Sequence, residues 1–557
     1  MPYKHGAYGE IVKSKAIAAA QADTVLLYVG VAPINLIAGY KDSGLVNKPI
    51  RLRNFNEVQK IVGYSDHWDK FSLCEAFVEH FNNTVQNAGP IYIVNVLDPD
   101  VHRGTQVSLS NQDFSSGYVY IDTDEAILDT VRVAGKVLDS DYSVSYDMSA
   151  GQVVIKDLNG TLGTTETVTY YPVDPSQITD ATIIGSANAD GTVTGIQCIK
   201  MMYSDFNAVT NLLAAPGYSE HPAVYQAMVA AVQKINGHWD GYVVADIPIE
   251  DVKSKEATVT SYVASVTDSD LILDSVEVYS ADGSKKGVKT TDYTLDFTAG
   301  VLTVTLVSGG ALYSEAKVIV NYKAKVDTKA KAIAWKAANG YTSERSDVCW
   351  PHVIDGNGKT YHLSTVFAAM MLATDLSHES IPMESPSNKI IMATGQFFGS
   401  ASKNPGYDQV ESNDLNEKGI CTACFWDGSW RTWGPHTSAY QYGITMDPRG
   451  IFDVNMRMLM FVTNGFQRRH GIEIDTPMTI ALKDSIINKE QEELDRLAGL
   501  GAIIGTPSVK FLESANSVND MMQGDFVFDI DFTNTPPFKS GTARVCYTDD
   551  GFKAYFG

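Results

Sequence analysis

The chain has 557 residues and a formal net charge of −23, from 43 Lys and Arg against 66 Asp and Glu. At ~150 residues per domain, this length predicts roughly three or four domains. A hydrophobic fraction of 44% with 20% charged residues excludes disorder as a description of the whole chain. Because phosphates would be repelled, the negative charge argues against nucleic acid or an anionic membrane surface as the main partner.

The beginning of the chain shows no pattern of export or membrane insertion. Met1–Gly6 is polar and lacks the apolar core of a secretory signal. The longest uncharged early stretch, Thr24–Tyr40, contains Pro33 and Asn35 and falls short of the ~20 apolar residues of a spanning helix. Six scattered cysteines do not form a disulfide framework. We therefore expect synthesis in a reducing cytoplasm.

Strands and helices are predicted to alternate up to about Pro99. Val25–Val29 and Ile91–Leu97 are apolar, β-prone runs, typical of strands with both faces covered. Asn56 predicts the cap of a short helix over Glu57–Val62. Apolar residues at three- and four-residue spacings then indicate one face of a helix: Trp68, Phe71, Cys74, Phe77, Phe81 and Val85.

From about Gly104 the sequence predicts only β strands. The alternation of strands and helices returns at about Ile178, and a second β-only stretch interrupts it from Ala257 to about Val326. The predicted elements of the returning part are a strand and turn at Asn211–Gly217, a helix from Pro222 to about Ile235, a strand at Gly241–Asp246, a helix at Thr328–Asn339, a strand at Asp347–Ile354 and a helix at Ser364–Leu376. Strands alternating with helices predict an α/β core.

The two β-only interruptions resemble each other in sequence. Three pairs of segments match in order and spacing: Ile127–Val133 with Ile272–Val278, Asp141–Val144 with Asp292–Leu295, and Ala150–Ile155 with Ala299–Val304. We therefore predict two mutually related β-sandwich modules of ~70 residues, inserted at surface loops of the α/β core.

The last region, from Ser387 onward, is predicted to be α+β. The predicted elements are a strand at Cys421–Trp426, helices at Ile451–Phe466 and Asp484–Ala498, and strands at Gly524–Thr533 and Thr542–Thr548. Pro536 and Pro537 separate the last two strands.

No motif in the chain carries recognisable chemistry. Cys421 and Cys424 have metal-ligand spacing, but no second pair exists. His378-Glu379 begins like a zinc-protease helix motif, but Pro382 stands where its second histidine is needed. The basic run Gln467–His470 is interpreted as a solvated or subunit-contact patch rather than an anion site. We predict no enzyme, no catalytic residue, no cofactor and no metal.

The ends of the chain are short β-prone pieces: Gly6–Val12 and the final strands. Lone terminal strands must pair somewhere or fray. One hypothesis is that they pair within their own domain. The other is that they add to the edge of a neighbour's sheet.

Several motifs together resemble the tail sheath proteins of contractile phages, which also occur in contractile injection systems and R-type bacteriocins. They are, in chain order, Gly6–Val12, Tyr28–Pro33, Ile91–Val96, Asn211–Ser219, Ser385–Lys389, Leu415–Ile420, Trp430–Gly434, Gly499–Gly505 and Phe526–Asp531. Leu415–Ile420 ("LN…GI") and Trp430–Gly434 ("R.WG") are the strongest pair. Each motif alone is weak, whereas the shared order over most of the chain is specific.

The resemblance implies a tail-sheath-like α/β and α+β core. The domains expected on it are an N-terminal arm (1–22), a discontinuous α/β sheath domain (23–100, 175–256 and 327–386), inserted β modules (101–174 and 257–326), a C-terminal α+β assembly domain (387–540) and a C-terminal arm (541–557). The residues expected to exchange strands between subunits are Tyr8, Glu10, Ile11, Val12, Phe526, Phe528, Ile530, Val545 and Tyr547.

The function implied by the resemblance is structural. Subunits would stack as hexameric rings around a tail tube, in the tail of a virion, and contract to drive the tube through the host envelope for genome delivery. The implied partners are other copies of the chain, the tube protein, and baseplate and tail terminator proteins, without direct nucleic acid contact or membrane insertion. A DNA-free bacteriocin or injection system is the alternative. A surface adhesin would explain the β modules but not the α/β core, and a hydrolase lacks its nucleophile turn.

Overall fold

The computed structural model describes residues 24–557. The predicted N-terminal arm (1–22), with Tyr8, Glu10, Ile11 and Val12, therefore lies outside the described residues.

The strands of this range, in chain order, are β1 Leu26–Gly30, β2 Pro49–Leu52, β3 Ile91–Asn95, β4 Val107–Asp113, β5 Tyr118–Ile121, β6 Arg132–Val133, β7 Tyr142–Asp147, β8 Gln152–Asp157, β9 Thr165–Tyr170, β10 Leu212–Ala214, β11 Tyr242–Asp246, β12 Glu250–Thr258 and β13 Val263–Thr267. They continue with β14 Glu277–Ser280, β15 Tyr293–Thr298, β16 Val301–Leu306, β17 Lys317–Lys325, β18 Ser346–Cys349, β19 His352–Ile354, β20 Thr360–Tyr361, β21 Gly395–Phe397, β22 Thr422–Trp426, β23 Ser429–Trp433, β24 Ile503–Lys510 and β25 Asp529–Asn534.

The α-helices are α1 Tyr40–Ser43, α2 Phe55–Ile61, α3 Leu73–Phe81, α4 Asp180–Ile184, α5 Met202–Phe206, α6 Pro222–Ala231, α7 Lys329–Ala338, α8 Leu363–Ser377, α9 Gln409–Asn416, α10 Asp453–His470, α11 Ile480–Gly499 and α12 Val518–Gln523. Helices and strands thus alternate through the core, and the predicted mixed α/β content is confirmed.

A six-stranded sheet forms the centre, in the order β18-β11-β10-β1-β3-β2. Its strands run parallel except β2, which pairs antiparallel with β3. Every residue of β1, β3 and β11 is buried, which requires cover on both faces and explains why these strands read as continuous apolar runs. The helix α8, buried from Leu363 to Asp375, packs on β10, β11 and β18.

Two lobes of β structure interrupt the chain of the central sheet. The first consists of the sheets β4-β9-β6 and β5-β8-β7, and the second of β12-β17-β14 and β13-β16-β15. Taken in chain order, the two lobes have the same strand order. Each encloses its own apolar cluster, represented by Val119, Ile155 and Val168 in the first lobe and by Val304 and Val320 in the second.

Several predicted boundaries shift because capping residues lie elsewhere. Asn54, not Asn56, caps α2, and its side chain accepts a hydrogen bond from the Glu57 backbone N–H. Thr479 caps α11, which therefore starts before Asp484. Of the apolar stripe Trp68–Val85, only the part within α3, Leu73–Phe81, is helical.

Further boundaries differ in the later half of the chain. The helix α6 ends at Ala231 rather than near Ile235, and α10 runs on to His470. Trp350 and Pro351 divide the predicted strand Asp347–Ile354 into β18 and β19, because proline has no N–H for a sheet ladder. Thr542–Thr548 contains no strand, and the strand predicted over Gly524–Thr533 is observed as β25, Asp529–Asn534.

Candidate assembly surface

The C-terminal region contains a two-stranded sheet, β24–β25, with unpaired outer edges among residues 24–557. The strands pair antiparallel, with Ile503 opposite Asn534 and Val509 opposite Ile530. The register shifts between Ile504 and Ser508, which marks a β-bulge. Two strands alone are marginally stable in water, and exposed backbone edges can pair with another chain.

Two helices support one face of this sheet. The apolar cluster beneath it joins Met458 of α10, Leu494 and Leu497 of α11, and Ile503 and Val509 of β24. The side chain of Ile504, in contrast, is 47% exposed. The sheet is therefore anchored by one face, while its other face and its edges stay open.

Charged side chains fasten α10 to α11. Arg469 donates two hydrogen bonds of 2.7 Å to the carboxylate of Glu490, and His470 lies 2.7 Å from the same carboxylate and 2.6 Å from Glu473. Burial alone would raise the pKa of Glu490, but Arg469 and His470 outweigh it and hold that pKa below its usual value. Burial would likewise lower the pKa of His470, but Glu490 and Glu473 raise it.

Within the basic run Gln467–His470, predicted to be a solvated or subunit-contact patch, two residues serve the subunit's own packing. Arg469 and His470 pair within the chain, and Gln467 donates to the carbonyl of His238 at 3.1 Å. Glu490 of α11 is the partner that Arg469 and His470 share, and sequence spacing alone does not show this because the two helices meet by tertiary contact.

The predicted exchange residues next to β25 contact their own chain. Phe528 lies 5.3 Å from Phe511 and 6.1 Å from Phe466 between ring centroids, and Phe526 lies 6.4 Å from Phe511. Ile530 packs on the cluster beneath the sheet. These three side chains therefore complete this region from within the subunit.

The predicted exchange residues of the arm lie in the opposite environment. Val545 is 92% exposed and Tyr547 is 82% exposed, and the segment around them has no strand partner among the described residues. Large apolar side chains recur towards the end of the arm, where Tyr555 and Phe556 are also exposed, and Phe538 is exposed just before the arm begins. An exposed apolar series of this kind marks an interaction segment.

A cleft of about 750 Å³ lies at the base of the arm. Pro537 and Phe538 form one part of its wall, and Asn388, Trp433 and His436 form another. His436 stacks on Tyr440 at 3.6 Å between ring centroids, and burial lowers the pKa of His436 to about 4. The arm thus leaves the body beside a surface with several aromatic rings, one of them this histidine.

The two strongest family motifs meet beside this cleft. The Asn416 side chain donates to the carbonyls of Ile420 and Trp433, at 2.9 and 3.1 Å. Gly434 has φ +130°, and a Cβ there would lie 2.7 Å from Nδ2 of Asn416. Asn416 and Gly434 are therefore parts of one local packing arrangement.

The cysteines of the chain are free thiols. The backbones of Cys349, at the end of β18, and Cys421 form an isolated parallel β-bridge, and both thiols are free. Burial raises the pKa of Cys349 to about 11. Cys424 is also buried, whereas Cys546 in the arm is exposed. A protonated, buried thiol is a poor metal ligand.

Two further features of residues 24–557 concern membrane-spanning helices and clusters of metal ligands. Between residues 24 and 557 no helix has the length and apolarity needed to cross a bilayer. Three potential metal ligands that the sequence did not single out, Glu220, His352 and His362, come together at the edge of the central sheet. Their separation in the chain hides them from motif analysis.

Comparison with known proteins supports the resemblance that the motifs suggest. No family model matches the chain. The tail sheath protein of Burkholderia phage BcepMu is 22% identical over 491 residues, which cover 83% of this chain and 82% of the relative.

Two solved structures show weaker likenesses. A cryo-EM structure of the contracted helical sheath of the anti-feeding prophage has a TM-score of 0.48 at 13% identity, covering 98% of this chain and 99% of that one. The crystal structure of the sheath tail protein from Desulfitobacterium hafniense has a TM-score of 0.44 at 9% identity, covering 91% and 93%. Through its sequence relative, the predicted resemblance is confirmed: this chain is a homologue of a phage tail sheath protein.

Proposed function

We propose that the chain is the structural subunit of a contractile tail sheath. The observation that carries the proposal is the exposed apolar arm beside an open two-stranded sheet, in a homologue of a tail sheath protein. Subunits stack as hexameric rings around a tail tube, with baseplate and terminator proteins at the ends. The tail then delivers a genome through the host envelope after assembly in the host cytoplasm.

Strand donation would link the copies. The arm (541–557) of one subunit, with Val545 and Tyr547, pairs with the open edge of β24 or β25 in another. The N-terminal segment with Tyr8, Glu10, Ile11 and Val12 pairs in the same way, beside Phe526, Phe528 and Ile530. Each added backbone hydrogen bond contributes about 1 kcal/mol net, and alternate side chains enter pockets on the acceptor.

Contraction requires a bistable assembly rather than a catalytic site. The donated strands stay paired while the domains rotate and slide past one another. A free-energy difference of a few kcal/mol per subunit between the long and short states is multiplied over the many subunits of a tail. No nucleotide is consumed in this scheme, and no enzymatic activity is assigned to the chain.

The two β lobes are insertions in this proposal. Their shared strand order and matching segments support a common origin as β-sandwich modules. The first lies within the expected range 101–174, whereas the second starts with β12 at Glu250, before the expected boundary at 257. They face away from the tube, because an insertion on the inner side would block assembly. Binding of antibodies against the lobes to intact tails checks this placement, and failure to bind contradicts it.

Removing the arm tests the proposal. A chain ending at Ser540 should remain folded, as measured by circular dichroism, but should no longer form tubes or polysheath in negative-stain electron micrographs. The matched control is Val137→Asp, which changes an apolar residue that is 63% exposed in the first lobe. Filaments from the shortened chain as abundant as those of the full chain would overturn strand donation.

A further inference from the structure

Three side chains with metal-ligand chemistry meet at the carboxyl edge of the central sheet. Glu220 lies in the turn after β10, His352 follows β18 at the start of β19, and His362 immediately precedes α8. Their ligand atoms all lie within 4.8 Å of one another. The carboxyl edge of parallel strands is where α/β proteins most often bind ligands.

The backbone fixes the two histidines as neighbours. In the β19–β20 pair, Val353 lies opposite Tyr361 and Ile354 opposite Thr360. One step further along this register places His352 opposite His362, and their ring centroids are 4.4 Å apart. Opposed residues on antiparallel strands have closely spaced side chains. His352 begins β19 and His362 directly follows β20, so the two histidines flank the paired residues of this sheet.

Glu220 is held just as firmly. The hydroxyl of Tyr341 donates to the carbonyl of Ser219 at 2.9 Å, and the Ser219 backbone N–H donates to Ala215 at 2.7 Å. The Ser219 hydroxyl also donates to Asp246 at 3.4 Å, at the end of β11. These bonds fix the turn on the sheet at Ser219, the residue directly before Glu220.

Two of the ligand atoms are buried and have no hydrogen-bond partner. These are Oε2 of Glu220 and Nε2 of His352, and the His352 side chain is only 8% exposed. The two atoms lie 3.8 Å apart, too far for a hydrogen bond. Zn–N and Zn–O bonds of ~2.0–2.2 Å place two ligand atoms of a tetrahedral ion roughly 3.4 Å apart. The gap therefore suits an intervening ion better than direct pairing.

The second histidine carries the support that metal-bound histidines usually have. Nδ1 of His362 lies 2.8 Å from Oε2 of Glu75, and the other oxygen of Glu75 accepts from the hydroxyl of Thr365. A carboxylate on Nδ1 fixes the ring and leaves Nε2 for a metal, an arrangement found at most histidine-ligated ions. Glu75 is itself buried, at 2% exposure, so it holds the His362 ring from inside the protein.

We propose that Glu220, His352 and His362 bind one Zn²⁺ ion, with Glu75 as the positioning residue for His362. Two histidines and one glutamate form a known zinc ligand set, and a water molecule completes four-coordination. Glu220 and His362 are partly exposed, which leaves an entry path for the ion and room for the water. The site joins the β10 turn to the β19–β20 pair, and it does not depend on the proposed sheath function.

Calorimetric titration of Zn²⁺ into metal-free, full-length protein tests the site. We expect one equivalent to bind, with affinity weakened at least ~100-fold in Glu220→Gln and in His352→Ala, and about 10- to 100-fold in Glu75→Gln. The control His238→Ala, at an exposed histidine outside the cluster, should bind like the wild type. No binding by the wild type, or unchanged binding by Glu220→Gln, would overturn the proposal.

A second measurement covers the case in which His352→Ala does not fold, which circular dichroism will show. The X-ray absorption spectrum of Zn²⁺-loaded wild-type protein should contain the scattering pattern of imidazole ligands in a four-coordinate shell. A spectrum with oxygen ligands alone would contradict the assignment, whatever the variants do.

Discussion

The central sheet and the C-terminal arm both contain apolar, sheet-forming residues, but these residues are buried in the sheet and exposed in the arm. In β1, β3 and β11 every residue is buried and paired by neighbours in the same chain. In the arm, Val545 and Tyr547 are β-prone and apolar, yet they remain exposed. Both regions carry side chains that favour burial in a sheet. Our proposal accounts for this difference, because it assigns the exposed sheet-forming segment to contacts with other copies of the chain.

The largest expected effect on the free energy of unfolding comes from a substitution in the central sheet. Val243→Asp places an unpaired carboxylate in the middle of β11, where Val243 is fully buried. Because a buried charge without a partner is strongly unfavourable, we expect a loss of more than about 4 kcal/mol in the free energy of unfolding. Urea denaturation followed by circular dichroism measures it.

The same change in the arm should have the opposite profile. Val545→Asp should alter the free energy of unfolding by less than about 0.5 kcal/mol while abolishing tube formation in electron micrographs. If Val545→Asp unfolded the subunit, or if its tubes were normal, the contrast between the two regions would be wrong.

A smaller effect is expected where the open sheet rests on its helices. Leu497→Ala removes a fully buried side chain beneath β24 and should cost about 2–5 kcal/mol of stability. Hydrogen exchange should show the loss concentrated in β24 and β25. The exposed residue Leu512 serves as a control, and Leu512→Ala should change little.

The contact between Gly434 and Asn416 should not tolerate even a small side chain at position 434. Gly434→Ala forces a methyl group against Nδ2 of Asn416 in a backbone conformation that favours glycine. We expect a loss of about 1–3 kcal/mol, measured by thermal denaturation. Gly443→Ala is the control, because its left-handed backbone has no atom within 4 Å of the added carbon; an equal loss would mean that strain, not the Asn416 contact, dominates.

The smallest effect concerns pH and the contact between α10 and α11. Because Glu490 and Glu473 raise the pKa of His470, its contribution is fully present below the unfolded pKa of about 6.5 and is lost as pH rises through the folded value. The lowered pKa values of Glu490 and Glu473 have the reverse effect at acid pH. A His470→Gln variant should therefore lose the decline in stability above about pH 6.5, as measured by denaturation at a series of pH values.

Much of the core could be predicted from local pattern, and much of the surface could not. Val25–Val29 and Gly241–Asp246 are continuous apolar runs, and both lie in the central sheet. Thr542–Thr548 alternates like a strand but pairs with no strand among residues 24–557. Because β24 and β25 have open edges within that range, strand propensity alone does not decide where a segment pairs. A local pattern predicts which segments can form sheets, not which molecule provides the neighbour.

The cluster of potential metal ligands and the ion pair between α10 and α11 could not be predicted from the sequence for a related reason. His352 and His362 are ten positions apart and become neighbours only through the β19–β20 register. Glu220 comes from another element, so no motif spacing connects the three. The pairing of Arg469 with Glu490 depends in the same way on how two helices cross, and single-sequence spacing carries no information on that crossing.

The exposure of Cys546 has a practical consequence for following assembly. Five of the six cysteines are buried, and the exposed one lies one residue from Val545 and from Tyr547. A maleimide fluorophore added to folded protein would therefore attach mainly to the arm without further engineering. Quenching or protection of that single dye would then report, in real time, when one subunit is captured by the next.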